Sequence, residues 1–176
     1  MKIILILVSL LFVGCANIPL ATMLEMRSFD EQQFVTIDAE QIQAKIQVEQ
    51  PLQIDVTTVE LSLAIGNVNG LRQFQFPLEL VQHKKIAPEE GFFFSTPGQN
   101  EYRLKLSDEA VKNFKATQLI VANEPSGDYE ISVRTGFAEF PDDIEKIRLS
   151  IFLMLSEQRG FMTLFKNAEL VMERSE

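Results

Sequence analysis

The chain has 176 residues, of which 46% are hydrophobic, and it carries 16 basic and 25 acidic side chains. This length and apolar content suffice for one ordinary domain with a packed core, which excludes a chain that is disordered throughout. The formal charge of −9 repels phosphate backbones, so no nucleic acid partner is expected. With one His, one Cys and no Trp, the chain lacks the ligands of a Cys or His metal cluster, and we predict neither a metal site nor a cofactor.

The first residues of the chain differ in kind from the rest. Met1 and Lys2 form a short positive end, and residues 3–13 are apolar apart from Ser9. A helix of that length covers about 17 Å, whereas a membrane-spanning helix must cross roughly 30 Å of hydrocarbon. The pattern therefore predicts a cleaved signal peptide over residues 1–14 rather than a transmembrane helix.

The apolar run ends in Leu11, Phe12, Val13, Gly14 and Cys15, so that a small residue directly precedes the one cysteine. This arrangement resembles the lipobox of bacterial lipoproteins, and the resemblance covers residues 1–15 only. It implies cleavage before Cys15, a diacylglycerol on the Cys15 thiol and an acyl chain on the freed amine. Two or three acyl chains hold a protein lastingly on a bilayer, so we expect Cys15 to be a membrane anchor.

The residue that follows the cysteine is Ala16, not the Asp that tends to hold lipoproteins of Gram-negative bacteria in the inner membrane. By that resemblance, the protein is expected on the outer membrane, facing the periplasm. In a Gram-positive source, the same signal would imply the outer face of the single membrane. The alternative is an ordinary signal peptide that is cut at a small residue such as Ala16 and leaves no lipid on the chain.

The mature chain is predicted to consist of a lipidated tether, residues 15–27, and a single β-rich domain, residues 28–172. The tether contains Pro19 and shows no clear hydrophobic period. Ser28 and Glu31 then form a capping-box pattern, which predicts a short helix at the start of the domain.

A hydrophobic period of two predicts strands in the first half of the domain. The alternation is clearest in three segments, 42–48, 59–65 and 74–80. Between the last two, Asn69 and Gly70 predict a hairpin in which Ile65 lies opposite Phe74. Residues 82–100 are expected to be a long irregular connection.

A helix and further strands are predicted in the second half. Ser107 follows a short strand at 102–106 and is a helix N-cap, with Val111 and Phe114 facing the core. Residues 118–122 are predicted to be extended.

The C-terminal part is predicted to form strands, although it contains few helix breakers. Two segments alternate strictly, 129–133 and 147–155. A turn after the second returns the chain antiparallel to itself, which sets Leu153 opposite Leu164 and Ile147 opposite Leu170.

About eight strands and two short helices, without a regular alternation of strand and long helix, argue against a parallel sheet. The fold class predicted from this pattern is mainly β, an antiparallel β-sandwich. The alternative is a single curved antiparallel sheet with the Ser107 helix packed on it.

Sequence motifs of common enzyme classes are absent: there is no GxSxG, no HExxH and no GxxxxGK[ST]. His83 is expected to be a solvated strand end rather than a proton shuttle. Two acidic groups could hold calcium if other oxygens converged on them, but charged turns are the favoured interpretation. These acidic residues are Glu89, Glu90, Asp142, Asp143 and Glu145.

The three consecutive phenylalanines Phe92, Phe93 and Phe94 lie in the predicted irregular connection. Packing of one or two of them into the end of the core is the simpler interpretation. Since a loop has no strand period that would explain them, they are nevertheless the best candidate for a contact surface.

These observations predict a lipid-anchored lipoprotein of the cell envelope that acts as a non-catalytic binding, assembly or accessory module. Its expected partners are the membrane, through the lipid on Cys15, and an envelope protein. The alternative is a carrier of an apolar ligand, and a hydrolase with a dispersed site is the less favoured third hypothesis.

Overall fold

The computed structural model describes residues 19–91, 95–123, 127–139 and 146–171. Within these ranges the strands are β1 Gln43–Glu49, β2 Ile54–Asn67, β3 Gly70–Ile86, β4 Glu89–Glu90, β5 Ser95–Thr96, β6 Gln99–Leu106, β7 Asp128–Phe137, β8 Lys146–Met154 and β9 Met162–Val171. The α-helices are α1 Leu20–Arg27, α2 Glu31–Thr36 and α3 Asp108–Val121, and Ala39–Gln41 form a 3-10 turn. Several residues named above lie outside the described ranges: Cys15, Phe92, Phe93, Phe94, Asp142, Asp143 and Glu145.

Seven of the strands form one antiparallel sheet in the order β7-β2-β3-β6-β1-β8-β9, and β4 pairs with β5 in a separate small hairpin. The large sheet curls into a half-barrel with β7 and β9 at its two edges. The prediction of a mainly β, antiparallel fold is confirmed, whereas the β-sandwich is wrong. The single curved sheet that was the alternative is the arrangement observed.

The long strand β3 explains why the sheet remains single. Its first half, residues 70–77, pairs with β2, and its second half, residues 78–86, pairs with β6 on the other side. Pro77, which has no N–H to donate, lies at this changeover. One continuous strand therefore belongs to both halves of the curved sheet. In a sandwich, the chain would instead cross to a second sheet.

The β2–β3 hairpin is shifted by two residues from the predicted register. Asn67 pairs with Gly70, and Leu63, not Ile65, lies opposite Phe74. The Asn67 side chain accepts the N–H of residue 69 at 2.9 Å, and Gly70 has a φ of 111°, a conformation that suits glycine. A shift of two keeps each side chain on its face, so the predicted buried positions are unaffected.

The sequence predicted an irregular connection that starts at residue 82. Residues 82–86 instead belong to β3. The pairing with β6 moves from Leu80 opposite Leu104 to Gln82 opposite Arg103, which leaves Val81 as an extra residue. Such a bulge reverses the faces of the residues that follow it.

Helix α3 runs to Val121, so the prediction of an extended segment over 118–122 is wrong. Its N-cap is the predicted one, because the Ser107 hydroxyl accepts the N–H of Ala110 at 3.2 Å. The β-branched residues near its end favour a strand locally. Tertiary contacts prevail: Val121 is buried, and the Gln118 amide donates to two carbonyls at the C-terminus of α2, at 2.9 and 2.8 Å.

Strands β8 and β9 pair as predicted only at one end. Ile147 lies opposite Leu170 as expected, but Leu153 lies opposite Met162 and not opposite Leu164. Two irregularities between these pairs absorb the difference. At one of them the Ser150 hydroxyl accepts the N–H of Asn167 at 2.9 Å, and Asn167 has a φ of 50°.

The core lies between the concave face of the sheet and the helices α2 and α3. Most of the predicted strand faces are buried, with Ile46, Leu63 and Leu153 at most 1% exposed, but Leu80, which was predicted to face inward, is 43% exposed. The ring of Phe114 on α3 lies 5.0 Å from the ring of Phe34 on α2 and 5.0 Å from that of Phe76 on β3. Helix α2 is the helix predicted after Ser28, although Asp30 is its N-cap.

We expect Phe114→Ala to destabilise the domain by about 3–5 kcal/mol, because it removes the ring that joins α2, α3 and the sheet and leaves a cavity. Urea denaturation of the full chain measures this. Leu119 on the same helix is 71% exposed, so Leu119→Ala is the matched control and should change stability by about 0.5 kcal/mol or less. Equal effects of the two substitutions would contradict this description of the core.

Candidate functional site

The open side of the half-barrel lies between the edge strands β7 and β9, and α1 is placed there. The Thr22 hydroxyl on α1 donates to the carbonyl of Thr163 on β9 at 2.6 Å, and Thr22 is only 5% exposed. Part of the predicted tether, residues 15–27, is thus a helix that packs on the domain. The leucine, alanine and methionine residues of α1 are good helix formers, although they follow no amphipathic period.

A groove of about 460 Å³ runs between α1 and the two edge strands, and we call it the seam groove. Its apolar walls are Met23 and Met26 on α1, Tyr129 and Ile131 on β7, and Leu164 and Phe165 on β9. Its polar lining consists of Thr22, Arg27, Glu130 and Ser132. Met23 and Phe165 are each 37% exposed, so the apolar surface of the seam groove is open to solvent.

The seam groove has the size and composition of a site for an apolar ligand. Ligand sites commonly have volumes of about 300–1,000 Å³ and mainly hydrophobic walls. Methionine side chains are flexible and polarisable, and they adapt to ligands of irregular shape. The sequence alone does not indicate this site, because its walls come from three segments that are far apart in the chain.

A second hollow, of about 320 Å³, lies beside the turn between β8 and β9. Its lining is mainly polar and includes Gln33, Asp38, Gln41 and Arg159. Gln41 accepts the N–H of Glu157 at 3.0 Å, which ties this turn to the start of β1. The polar lining is suited to water rather than to an apolar ligand.

His83 is exposed, as predicted, but it lies within β3 rather than at a strand end, and its ring stacks on Tyr102, with centroids 4.3 Å apart. Its Nε2 lies 3.3 Å from Oδ1 of the buried Asn100, whose amide donates to the carbonyl of Leu52 at 2.6 Å. Burial raises the pKa of Tyr102, and the nearby backbone of Ile54 partly offsets this rise. The Tyr102 hydroxyl nevertheless has no well-formed hydrogen bond. These contacts hold the start of β2 against β6.

The acidic side chains form no metal-binding cluster in the described part of the chain. No group of three or more His, Cys, Asp or Glu residues there could hold a metal ion. Glu89 and Glu90 are consecutive in β4, so their side chains point to opposite faces and do not converge.

Among the described residues, two carboxyl groups have clearly shifted pKa values, and both are lowered. The hydroxyl and the backbone N–H of Thr57 lower the pKa of Asp55, and the hydrogen bond from Lys146 lowers that of Glu169. A hydrolase with a dispersed site needs an acid whose pKa is raised, so neither group suits that role.

The hairpin of β4 and β5 flanks Phe92, Phe93 and Phe94 and lies at the opposite end of the sheet from α1. It follows Ile86, which pairs with Gln99 at the Glu49 end of β1. Helix α1 contacts Thr163, near the Gln43 end of β1. Thr163 lies opposite Phe152, which lies opposite Lys45, so the stretch of β1 from Lys45 to Glu49 separates the two positions by about 13 Å along the strands.

Among the described residues, no helix is both long and apolar enough to cross a membrane. Comparisons with protein-family models, with curated proteins and with solved structures give no match to this chain.

We expect Thr22→Val to loosen α1 from the sheet edge, because it removes the hydroxyl that pairs with the Thr163 carbonyl. A loss of about 1 kcal/mol corresponds to roughly fivefold faster hydrogen exchange in α1, measured by mass spectrometry. Thr36→Val is the control, since the Thr36 hydroxyl bonds only to carbonyls of its own helix. Unchanged exchange in α1 would contradict a role for this bond in closing the seam.

Proposed function

We propose that this chain is an exported protein, anchored to a membrane through lipid on Cys15, that acts as a non-catalytic binding module of the cell envelope. The observation that carries the proposal is the placement of α1 and the β4–β5 hairpin at opposite ends of the sheet. The resemblance of residues 11–15 to a lipobox supports the anchor, and Ala16 after Cys15 supports an outer membrane location facing the periplasm.

The anchor and the hairpin would then face different surroundings. Only residues 16–19 connect Cys15 with α1, and an extended chain of that length reaches about 14 Å at most. The α1 end of the domain therefore stays near the bilayer. The hairpin of β4 and β5 begins about 13 Å further along the sheet, where a protein partner in the envelope can approach it.

We expect Cys15→Ser to abolish incorporation of radiolabelled palmitate and cleavage before residue 15, because the thiol is the proposed acceptor of lipid. Labelling in cells and the intact mass of the purified chain measure both effects. Ala16→Ser, which keeps the thiol, is the matched control and should remain labelled and cleaved. Palmitate labelling of the Cys15→Ser chain would refute the anchor.

Replacing both Phe93 and Phe94 with Ser is expected to weaken crosslinking of the chain to an envelope partner in intact cells and to leave the unfolding midpoint unchanged. The reason is that the substitution removes apolar side chains from the proposed contact surface. Leu119→Ser removes an exposed apolar side chain elsewhere and should leave the crosslinks intact. A large fall in Tm would show instead that the phenylalanines belong to the core.

A second candidate function is that of a carrier for an apolar ligand, and the seam groove is the observation that favours it. The groove has apolar walls on three elements and opens to solvent at Met23 and Phe165. The experiment in the next subsection reports on any lipid that occupies this groove, and so it tests the carrier function as well.

A further inference from the structure

We propose that the seam groove holds one of the acyl chains attached to Cys15. This inference rests on the lipid attachment proposed above. The occupant is thus part of the same molecule, and the groove would bind the lipid anchor of its own chain.

The short connection between Cys15 and α1 supports this occupant. Residues 16–19 span about 14 Å at most when extended. Thr22 and Met23 lie in the first turn of α1 and line the groove. Any acyl chain on Cys15 therefore remains within reach of the groove, and a tethered ligand has a high effective concentration at a nearby site.

The walls of the seam groove suit a hydrocarbon chain. Each of the three elements that form it contributes apolar side chains, and the Thr163 carbonyl at the edge of β9 already accepts a hydrogen bond from Thr22. A hydrocarbon chain in the groove therefore leaves that carbonyl with a hydrogen-bond partner. Arg27, Glu130 and Ser132 also line the groove and can remain in contact with water.

The energetic balance permits exchange between the groove and the bilayer. Burial of each methylene group contributes about 0.8 kcal/mol both in the groove and in the bilayer. Transfer of one acyl chain from the bilayer to the groove therefore costs little net free energy. The remaining acyl chains on Cys15 keep the protein on the membrane. A chain in the groove also covers the exposed apolar surface of Met23 and Phe165, which would otherwise face water.

The test is photocrosslinking of the full-length lipidated protein in cells. Cells are fed a long-chain fatty acid that carries a diazirine, which is incorporated into lipid on Cys15 and into phospholipids. After irradiation and digestion, mass spectrometry identifies the peptides that are joined. We expect the Cys15 lipopeptide to be joined to peptides that contain residues 22–27, 129–132 or 164–165 of the same chain.

Matched variants connect the crosslinks to the groove. Met23→Glu places a carboxylate in the apolar wall at a partly exposed position, and it should reduce these crosslinks to background. Leu119→Glu makes the same kind of change on α3, away from the groove, and should leave them at the level of the unsubstituted chain. Circular dichroism of both variants verifies that the fold is kept.

Each other outcome overturns the inference in a recognisable way. A labelled Cys15 peptide without groove crosslinks means that all acyl chains stay in the bilayer, and the anchor proposal survives. Groove peptides joined to phospholipid, equally in Cys15→Ser, mean that the groove carries membrane lipid instead. A Cys15 peptide without lipid refutes the anchor and this inference together.

Discussion

A sheet that curls around itself has one concave apolar face, and the rest of this structure depends on how that face is covered. Here two helices cover it, and the Phe114 ring lies between Phe34 on α2 and Phe76 on β3. Because these rings join segments that are distant in the sequence, they fix how far the sheet can curve. The same curvature leaves the edges β7 and β9 separated, and this separation creates the seam groove.

The strand faces could be predicted because the alternation that buries Ile46, Leu63 or Leu153 is local. The alternation of apolar and polar residues indicates that one face of a strand is covered, but it does not indicate what covers it. The sequence therefore did not distinguish a covering sheet from covering helices. In the observed hairpin register, the Asn67 side chain bonds to the turn, and the last turns of α3 contact α2 through Gln118. Neither contact leaves a periodic signal in the sequence.

The two parts of the proposed site differ in the same way. Cys15 could be predicted from the sequence as a lipid-attachment site because its motif is contiguous, from the apolar run to the small residue that precedes it. The seam groove could not, since Met23, Ile131 and Leu164 each look like ordinary apolar residues of their own elements. Only the curvature of the sheet and the position of α1 bring them together.

The position of α1 also bears on how the chain avoids self-association. Unpaired edge strands offer backbone groups to neighbouring molecules and can nucleate aggregates, which natural sheets prevent by covering their edges. Helix α1 covers part of the β9 edge through the bond from Thr22 to Thr163. A segment that looks like a dispensable linker in the sequence thus protects an edge of the sheet. A chain that starts at residue 28 would lack α1 and expose this aggregation-prone edge.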